Sequence, residues 1–189
     1  MEYPSLLIAG DSFVASHDAH SWTNLIQNYH VTNIGTCGIG EYKIWQALTA
    51  QNITRFDKII IAHTSAARLH IRQNPWYLNH QSHAHADLLY SDACAKPDSK
   101  FKTLVKSWFE QVVDLDYQDN IHAMIVEKIQ HLCSVSRTKH ITFFDCNLPN
   151  LDNINTIWTQ YPGSINHLST EGNQKVFEYI RPFLYDNSN

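Results

Sequence analysis

Three short stretches carry residue types that can perform hydrolytic chemistry. The first is Gly10-Asp11-Ser12-Phe13. A serine in such a turn can project its hydroxyl as a nucleophile while backbone N–H groups behind it face a developing oxyanion. The second runs Asn33-Ile34-Gly35-Thr36-Cys37-Gly38-Ile39-Gly40, where the glycines permit positive φ and close backbone approach. The Gly38 N–H could then face the same carbonyl as Ser12. The third runs from Gly163 to Gly172 and sets His167 just ahead of a helix start, marked by Ser169 as N-cap and Glu171 in the first turn. A histidine there can accept the serine proton. Each stretch also has an ordinary reading: a strand-to-loop turn, a strand-to-helix turn that needs glycine for geometry, and a surface or capping histidine. A phosphate cradle is a rival for the second stretch, but the Walker Lys-Ser/Thr spacing and a GxGxxG order are absent.

Elements must bring these stretches together. Short apolar runs predict strands at Ser5–Ala9, His30–Ile34, Lys58–Ala62 and His140–Asp145. Apolar residues three and four apart predict helices around Trp22–Ile26, Ile44–Leu48, Phe101–Val112, Ile121–Leu132 and Val176–Ile180. The alternation is that of an α/β fold, a parallel sheet covered by helices. In such a sheet ligands sit at the carboxyl ends of the strands, where the first two stretches begin. Between Arg68 and Lys100 the period is lost and polar residues dominate, so a polar insertion or lid is expected around residues 69–100.

Composition narrows the function classes. The 189 residues predict one domain over 1–189. There are 14 Lys+Arg against 18 Asp+Glu, and no basic run, which disfavours nucleic acid and anionic membrane as partners. Hydrophobic residues make up 43%, which excludes disorder as the overall state. The residues before the first strand carry no basic segment or cleavage site, so no secretory leader is expected, and no apolar run reaches the roughly 18 residues of a membrane span. The four cysteines (Cys37, Cys94, Cys133, Cys146) form neither a CxxC pair nor a dense framework, so reduced thiols and a cytoplasmic location are expected.

On these motifs the chain resembles the SGNH, or GDSL-type, hydrolase superfamily. Gly10-Asp11-Ser12 matches its first block, Asn33-x-Gly35-x-x-Gly38 its second, and His167-Leu168-Ser169-x-x-Gly172 the histidine end of its last. The resemblance covers residues 5–45 and 140–184 and does not reach 70–120. It implies a flavodoxin-like three-layer sandwich with helices on both faces of a parallel sheet. It further implies Ser12 as nucleophile, His167 as base, and the Ser12 and Gly38 amides as part of the oxyanion hole. The chain departs from the family twice. Where the family has Asp, three residues before its histidine, this chain has Ser164; where it has Gly-x-Asn-Asp after the third strand, this chain has Ala62-His63-Thr64-Ser65-Ala66. In serine proteases, replacing the triad Asp by its amide lowers turnover about ten-thousandfold, and losing one oxyanion donor costs about 10² to 10³. Substitutes are Ser164 Oγ or a backbone carbonyl to orient the imidazole, with Asp152 a further option that the spacing does not support, and Thr64 or Ser65 to donate to the oxyanion.

The remaining polar residues have weaker claims. Asp11 and His63 fall at strand ends where they could contact substrate, and Arg68 could hold a carboxylate or phosphate. His80, His83, His85 and Asp87 are types that ligate zinc, but no single regular element converges all four, so no metal and no cofactor is expected. Trp76 and Tyr77 would form an apolar wall or anchor the lid. These readings together predict a serine esterase or acetyl-hydrolase acting on an acylated small molecule or carbohydrate. An O-acyltransferase acting on a sugar is the alternative within the enzyme class. A non-catalytic carbohydrate- or acyl-binding domain is the alternative outside it.

Overall fold

The computed structural model describes residues 3–15, 20–146, 148–164 and 167–186. Five strands, β1 (Ser5–Gly10), β2 (His30–Asn33), β3 (Lys58–His63), β4 (Arg137–Thr142) and β5 (Asp152–Asn153), form one sheet in the order β2-β1-β3-β4-β5. Every neighbouring pair is parallel. The helices are α1 (Glu41–Thr49), α2 (Tyr90–Ala95), α3 (Lys100–Gln111), α4 (Leu115–Cys133), α5 (Asn155–Gln160) and α6 (Thr170–Tyr185). This is the doubly wound α/β order of flavodoxin-like folds, and the chain reverses direction across the sheet between β1 and β3.

The strands alternate their side chains between two apolar layers. Leu6 and Ile8 of β1, with Ile60 and Ala62 of β3, pack against Trp22 and against Val176, Ile180 and Leu184 of α6. Leu7 and Ala9, with Ile59 and Ile61, pack on the other side against Ile44 and Leu48 of α1 and Ile129 and Cys133 of α4. Burial on both faces is why β1 and β3 read as unbroken apolar runs rather than as alternating ones. Each fully buried Leu or Ile contributes about 1.5–3 kcal/mol relative to exposure.

Strand β4 lies three residues earlier than the apolar run suggests. Its ladder pairs Lys58–His63 with Arg137–Thr142 residue for residue. The Thr142 hydroxyl then accepts the Phe144 N–H at 3.2 Å and helps turn the chain out of the sheet. Phe143 remains buried because it stacks on Phe13, with ring centroids 4.4 Å apart. The start of β4, Arg137-Thr138-Lys139, is exposed to half-buried, so polar side chains hide it from an apolar search. Helices α2 and α5 and strand β5 were not expected from sequence. They span six, six and two residues, too short to display a period.

The polar insertion is a clasped excursion. Leu69 and Leu88 exchange backbone hydrogen bonds of 2.8 and 3.0 Å at its base. Buried Asp87 anchors that base, accepting from the Gly40 N–H (2.6 Å), Lys43 Nζ (2.6 Å) and the Ile71 N–H (3.0 Å). A small core of Leu88, Ala93 and Val105, packed with Trp76, Phe101 and Phe109, supports the far part. Trp76 is thus an anchor of the insertion. No helix among the described residues is long and apolar enough to cross a membrane. All four cysteines are free.

Candidate active site

Ser12 sits in the turn that leaves β1. The Asp11 carboxylate accepts the Phe13 N–H at 3.0 Å, and the Asp11 carbonyl accepts the Val14 and Ala15 N–H groups at 3.2 Å. Phe13 pins the turn into the core by its stack on Phe143, while its carbonyl accepts Trp22 Nε1 at 2.8 Å. Gly10 is required at the root of this turn. Its φ is +153°, and a Cβ there would lie 2.6 Å from the Ala62 carbonyl oxygen of β3. Ser12 itself is half-buried. Among the described residues neither its hydroxyl nor its N–H has a hydrogen-bond partner.

His167 is held by a tight turn before α6. Its N–H donates to the Ser164 carbonyl at 3.2 Å, and its carbonyl accepts the Gly163 N–H at 2.6 Å. Ser169 caps α6 by accepting the Gly172 N–H at 3.1 Å. Asn173 Oδ1 accepts the Trp22 N–H at 2.9 Å, fixing the start of α6 beside the segment that follows the Ser12 turn. The His167 ring is exposed, with its centroid 5.7 Å from that of Phe13. Ile165 and Asn166, which belong to the same motif, lie outside the described residues.

Ser12, Ser164 and His167 line one cavity of about 830 Å³. The insertion supplies another wall through His80 and His83, whose Nδ1 atoms are 3.3 Å apart and both lie within reach of Ser82 Oγ. His85 is not part of this wall; its carbonyl accepts Lys43 Nζ. Among the described residues no hydrogen bond joins His167 to Ser12 or to the Ser164 side chain, and none joins its ring to a carboxylate.

Gly38 has φ +73°, and a Cβ there would lie 2.8 Å from Ala86 Cβ, so the loop after β2 needs glycine at this point. Its carbonyl accepts from Arg68 Nη1 (3.0 Å) and the Asp87 N–H (2.9 Å). Its N–H has no partner among the described residues.

The other expected site residues are placed elsewhere. Thr64 is fully buried, and its hydroxyl donates to Asp11 Oδ2 (3.0 Å) while accepting from Arg68 Nε (3.1 Å). It has no proton left for an oxyanion. Ser65 and Arg68 line a second cavity of about 240 Å³ that Ser12 does not share. Asp11 is buried, and burial raises its carboxyl above the usual range, with the Arg68 charge opposing. Its carboxylate is taken up by the Phe13 N–H of the Ser12 turn and by the Thr64 hydroxyl.

His63 belongs to a buried cluster that no sequence signal announced. Its Nδ1 donates to Glu41 Oε1 at 2.7 Å, and its Nε2 shares a 2.9 Å hydrogen bond with His140 Nδ1. The second Glu41 oxygen accepts the Thr64 N–H at 3.0 Å, and His122 Nε2 donates to the Thr64 carbonyl at 2.9 Å. Burial pushes the Glu41 carboxyl up, but His63 and His122 outweigh it and hold it at about 2. Burial and the neighbouring His63 push His140 down to about 3. Burial opposes protonation of His122, but its bond to Glu41 and the Glu41 charge raise it overall.

No family model and no curated protein matches the chain. Among solved structures, it is similar to one described as TesA, with a TM-score of 0.47 and 11% identity over 96% of this chain and 98% of that one.

Proposed function

We propose that this protein is a serine hydrolase that cleaves an ester of a small molecule or carbohydrate through an acyl-Ser12 intermediate. The observation that carries this reading is the shared cavity of Ser12 and His167, on turns from opposite ends of the chain, with the Ser12 hydroxyl unengaged by any described residue. The cavity volume falls within the range that small ligands occupy.

In this reading Ser12 Oγ attacks the ester carbonyl as the His167 imidazole takes its proton. The carbonyl oxygen becomes an oxyanion facing the Ser12 and Gly38 N–H groups, neither of which has a protein partner among the described residues. His167 returns the proton to the departing alcohol, then activates water against the acyl-serine, and Ser12 recovers its proton. Ser164, which lines the same cavity, is the residue proposed to orient the ring. A hydroxyl compensates an imidazolium less well than a carboxylate, so turnover well below that of a full triad is expected.

The test is a fluorophosphonate probe with the adduct located by mass spectrometry, alongside p-nitrophenyl acetate hydrolysis. Labelling of Ser12, and hydrolysis lost in Ser12→Ala, supports the reading. No label and no hydrolysis above the Ser12→Ala background removes it. That outcome would favour a binding domain that uses the same cavity, a reading motivated by the absence of a carboxylate on His167 among the described residues. Acyl transfer to an added sugar in preference to water would assign the O-acyltransferase alternative.

A further inference from the structure

The two proposed oxyanion donors sit on different loops, Ser12 after β1 and Gly38 after β2. Their relative position must hold to within a fraction of an ångström for both to meet one oxygen. The roots of the loops are tied directly, by the Thr36 N–H to the Gly10 carbonyl (3.1 Å) and by Asn33 Nδ2 to the Val14 carbonyl (2.7 Å). At Gly38 itself the tie runs through a side chain from a third loop. Arg68, after β3, sends Nη1 to the Gly38 carbonyl (3.0 Å) and Nε to Thr64 Oγ1 (3.1 Å), while Nη2 lies 3.8 Å from Asp11 Oδ2. Thr64 passes the connection on to Asp11 Oδ2 (3.0 Å), and Asp11 Oδ1 closes the turn that carries Ser12.

We infer that Arg68 is a positioning residue: one guanidinium clamps the Gly38 loop to the Ser12 turn and so sets the geometry of the oxyanion hole. The clamp needs a planar fork with several donors at fixed angles, which arginine has and lysine lacks. The Arg68 side chain is 11% exposed, and three of its nitrogens already face partners, so it is committed to the scaffold rather than offered to substrate. This also gives the loop after β3 a task. In place of an asparagine that would donate to the oxyanion, it supplies an arginine that holds another donor still.

The inference rests on the serine hydrolase reading, and one set of measurements separates the two. Wild type, Arg68→Lys and Arg68→Ala are compared for the rate of fluorophosphonate labelling at Ser12 and for kcat and KM on p-nitrophenyl acetate. The alanine variant is measured with and without millimolar guanidinium chloride, and a melting curve accompanies each protein. Arg68→Ala is expected to label and turn over about 10²-fold more slowly, on the scale of a lost oxyanion donor, with KM within about twofold. Guanidinium should restore part of the loss, and Arg68→Lys should lose nearly as much as alanine. Labelling of Arg68→Ala at the wild-type rate overturns the positioning role. So does a raised KM with unchanged kcat, which would make Arg68 a substrate contact. If Arg68→Ala does not fold, Arg68→Lys decides by the same split, since it keeps the charge without the fork. Failure of the wild type to label at Ser12 removes the hydrolase reading and the positioning role with it, whereas a labelled wild type beside an unaffected variant removes the positioning role alone.

Discussion

Two polar regions lie side by side along the carboxyl edge of the sheet, and they differ in how completely their groups are used. In the cluster of Glu41, His63, His122 and His140, Glu41, His63 and His122 are buried, and no side-chain nitrogen or oxygen of the four is left buried and unsatisfied. On the turns after β1 and β2, by contrast, the hydroxyl of Ser12, a residue that lines the cavity with His167, and the Ser12 and Gly38 N–H groups have no protein partner among the described residues. A buried unsatisfied polar group costs about 1–3 kcal/mol, so the interior saturates itself. Groups that are only half-buried, as Ser12 and Gly38 are, can avoid that cost by bonding water and remain available to a substrate. Richness in titratable residues therefore marks the scaffold here, and sparseness of partners marks the candidate site.

The sharpest way to break this contrast is at Ser12. Ser12→Ala should lower p-nitrophenyl acetate hydrolysis by on the order of 10³ to 10⁶, the scale at which serine hydrolases lose their nucleophile, with the melting midpoint unchanged. An activity that survives would place the chemistry elsewhere. His167→Ala should cost about 10² to 10⁴, as for a general base, again without loss of stability.

Glu41→Ala should show the reverse pattern. Removing the carboxylate takes the buried acceptor away from the His63 Nδ1–H and the Thr64 N–H, and breaking a buried pair costs about 3–5 kcal/mol, readable in urea unfolding. If Glu41→Ala unfolds like wild type but is inactive, the cluster belongs to the catalytic machinery and the contrast fails.

Acid should act on the cluster before it acts on the rest of the core. His140, held at about 3 against an ordinary 6.5, is neutral in the fold while the unfolded chain takes up protons, so its contribution is lost as pH falls from 6.5 toward 3. Glu41, held at about 2 against 4.5, contributes above 4.5, and that contribution is lost between 4.5 and 2. His122 is raised, so its contribution has the opposite sign: it is present below 6.5 and lost as pH rises through the folded value. Unfolding midpoints measured from pH 7 to 3 should thus decline slowly at first and steeply below 4.5, and the steep part should vanish in Glu41→Gln. The smallest effect belongs to the cavity wall. His80→Ala should shift KM for a polar ester severalfold, the scale of one hydrogen bond of about 1 kcal/mol, with little change in kcat.

The sheet was largely legible in advance because β1 and β3 are buried on both faces and admit almost only apolar residues. The misplacement of β4 followed from the opposite circumstance, since Arg137, Thr138 and Lys139 are not buried and their register is set by β3. The turns that carry Ser12, Gly38 and His167 were legible as local structure, because a tight turn after a strand, a positive-φ position and a helix cap each demand particular residues. Thr64, Ser65, His63 and Arg68 were not, because a polar side chain after a strand can face a cavity or its own scaffold, and nothing local distinguishes the two.

By itself the sequence determined the alternation of strands and helices, the turn chemistry at Gly10-Asp11-Ser12 and Gly38, and the cap that sets His167 before the last helix. These depend on backbone conformation and hydrophobic period over a few residues. Only the tertiary structure decided which polar groups meet. It drew His63, Glu41, His122 and His140 into one buried cluster from separations of up to 99 positions (140 − 41), sent Arg68 to Gly38, and brought His80 and His83 over the Ser12 cavity. The physical reason is that hydrogen bonds act over about 3 Å, and the sheet and its crossovers, through contacts far apart in the chain, choose which groups come within that distance.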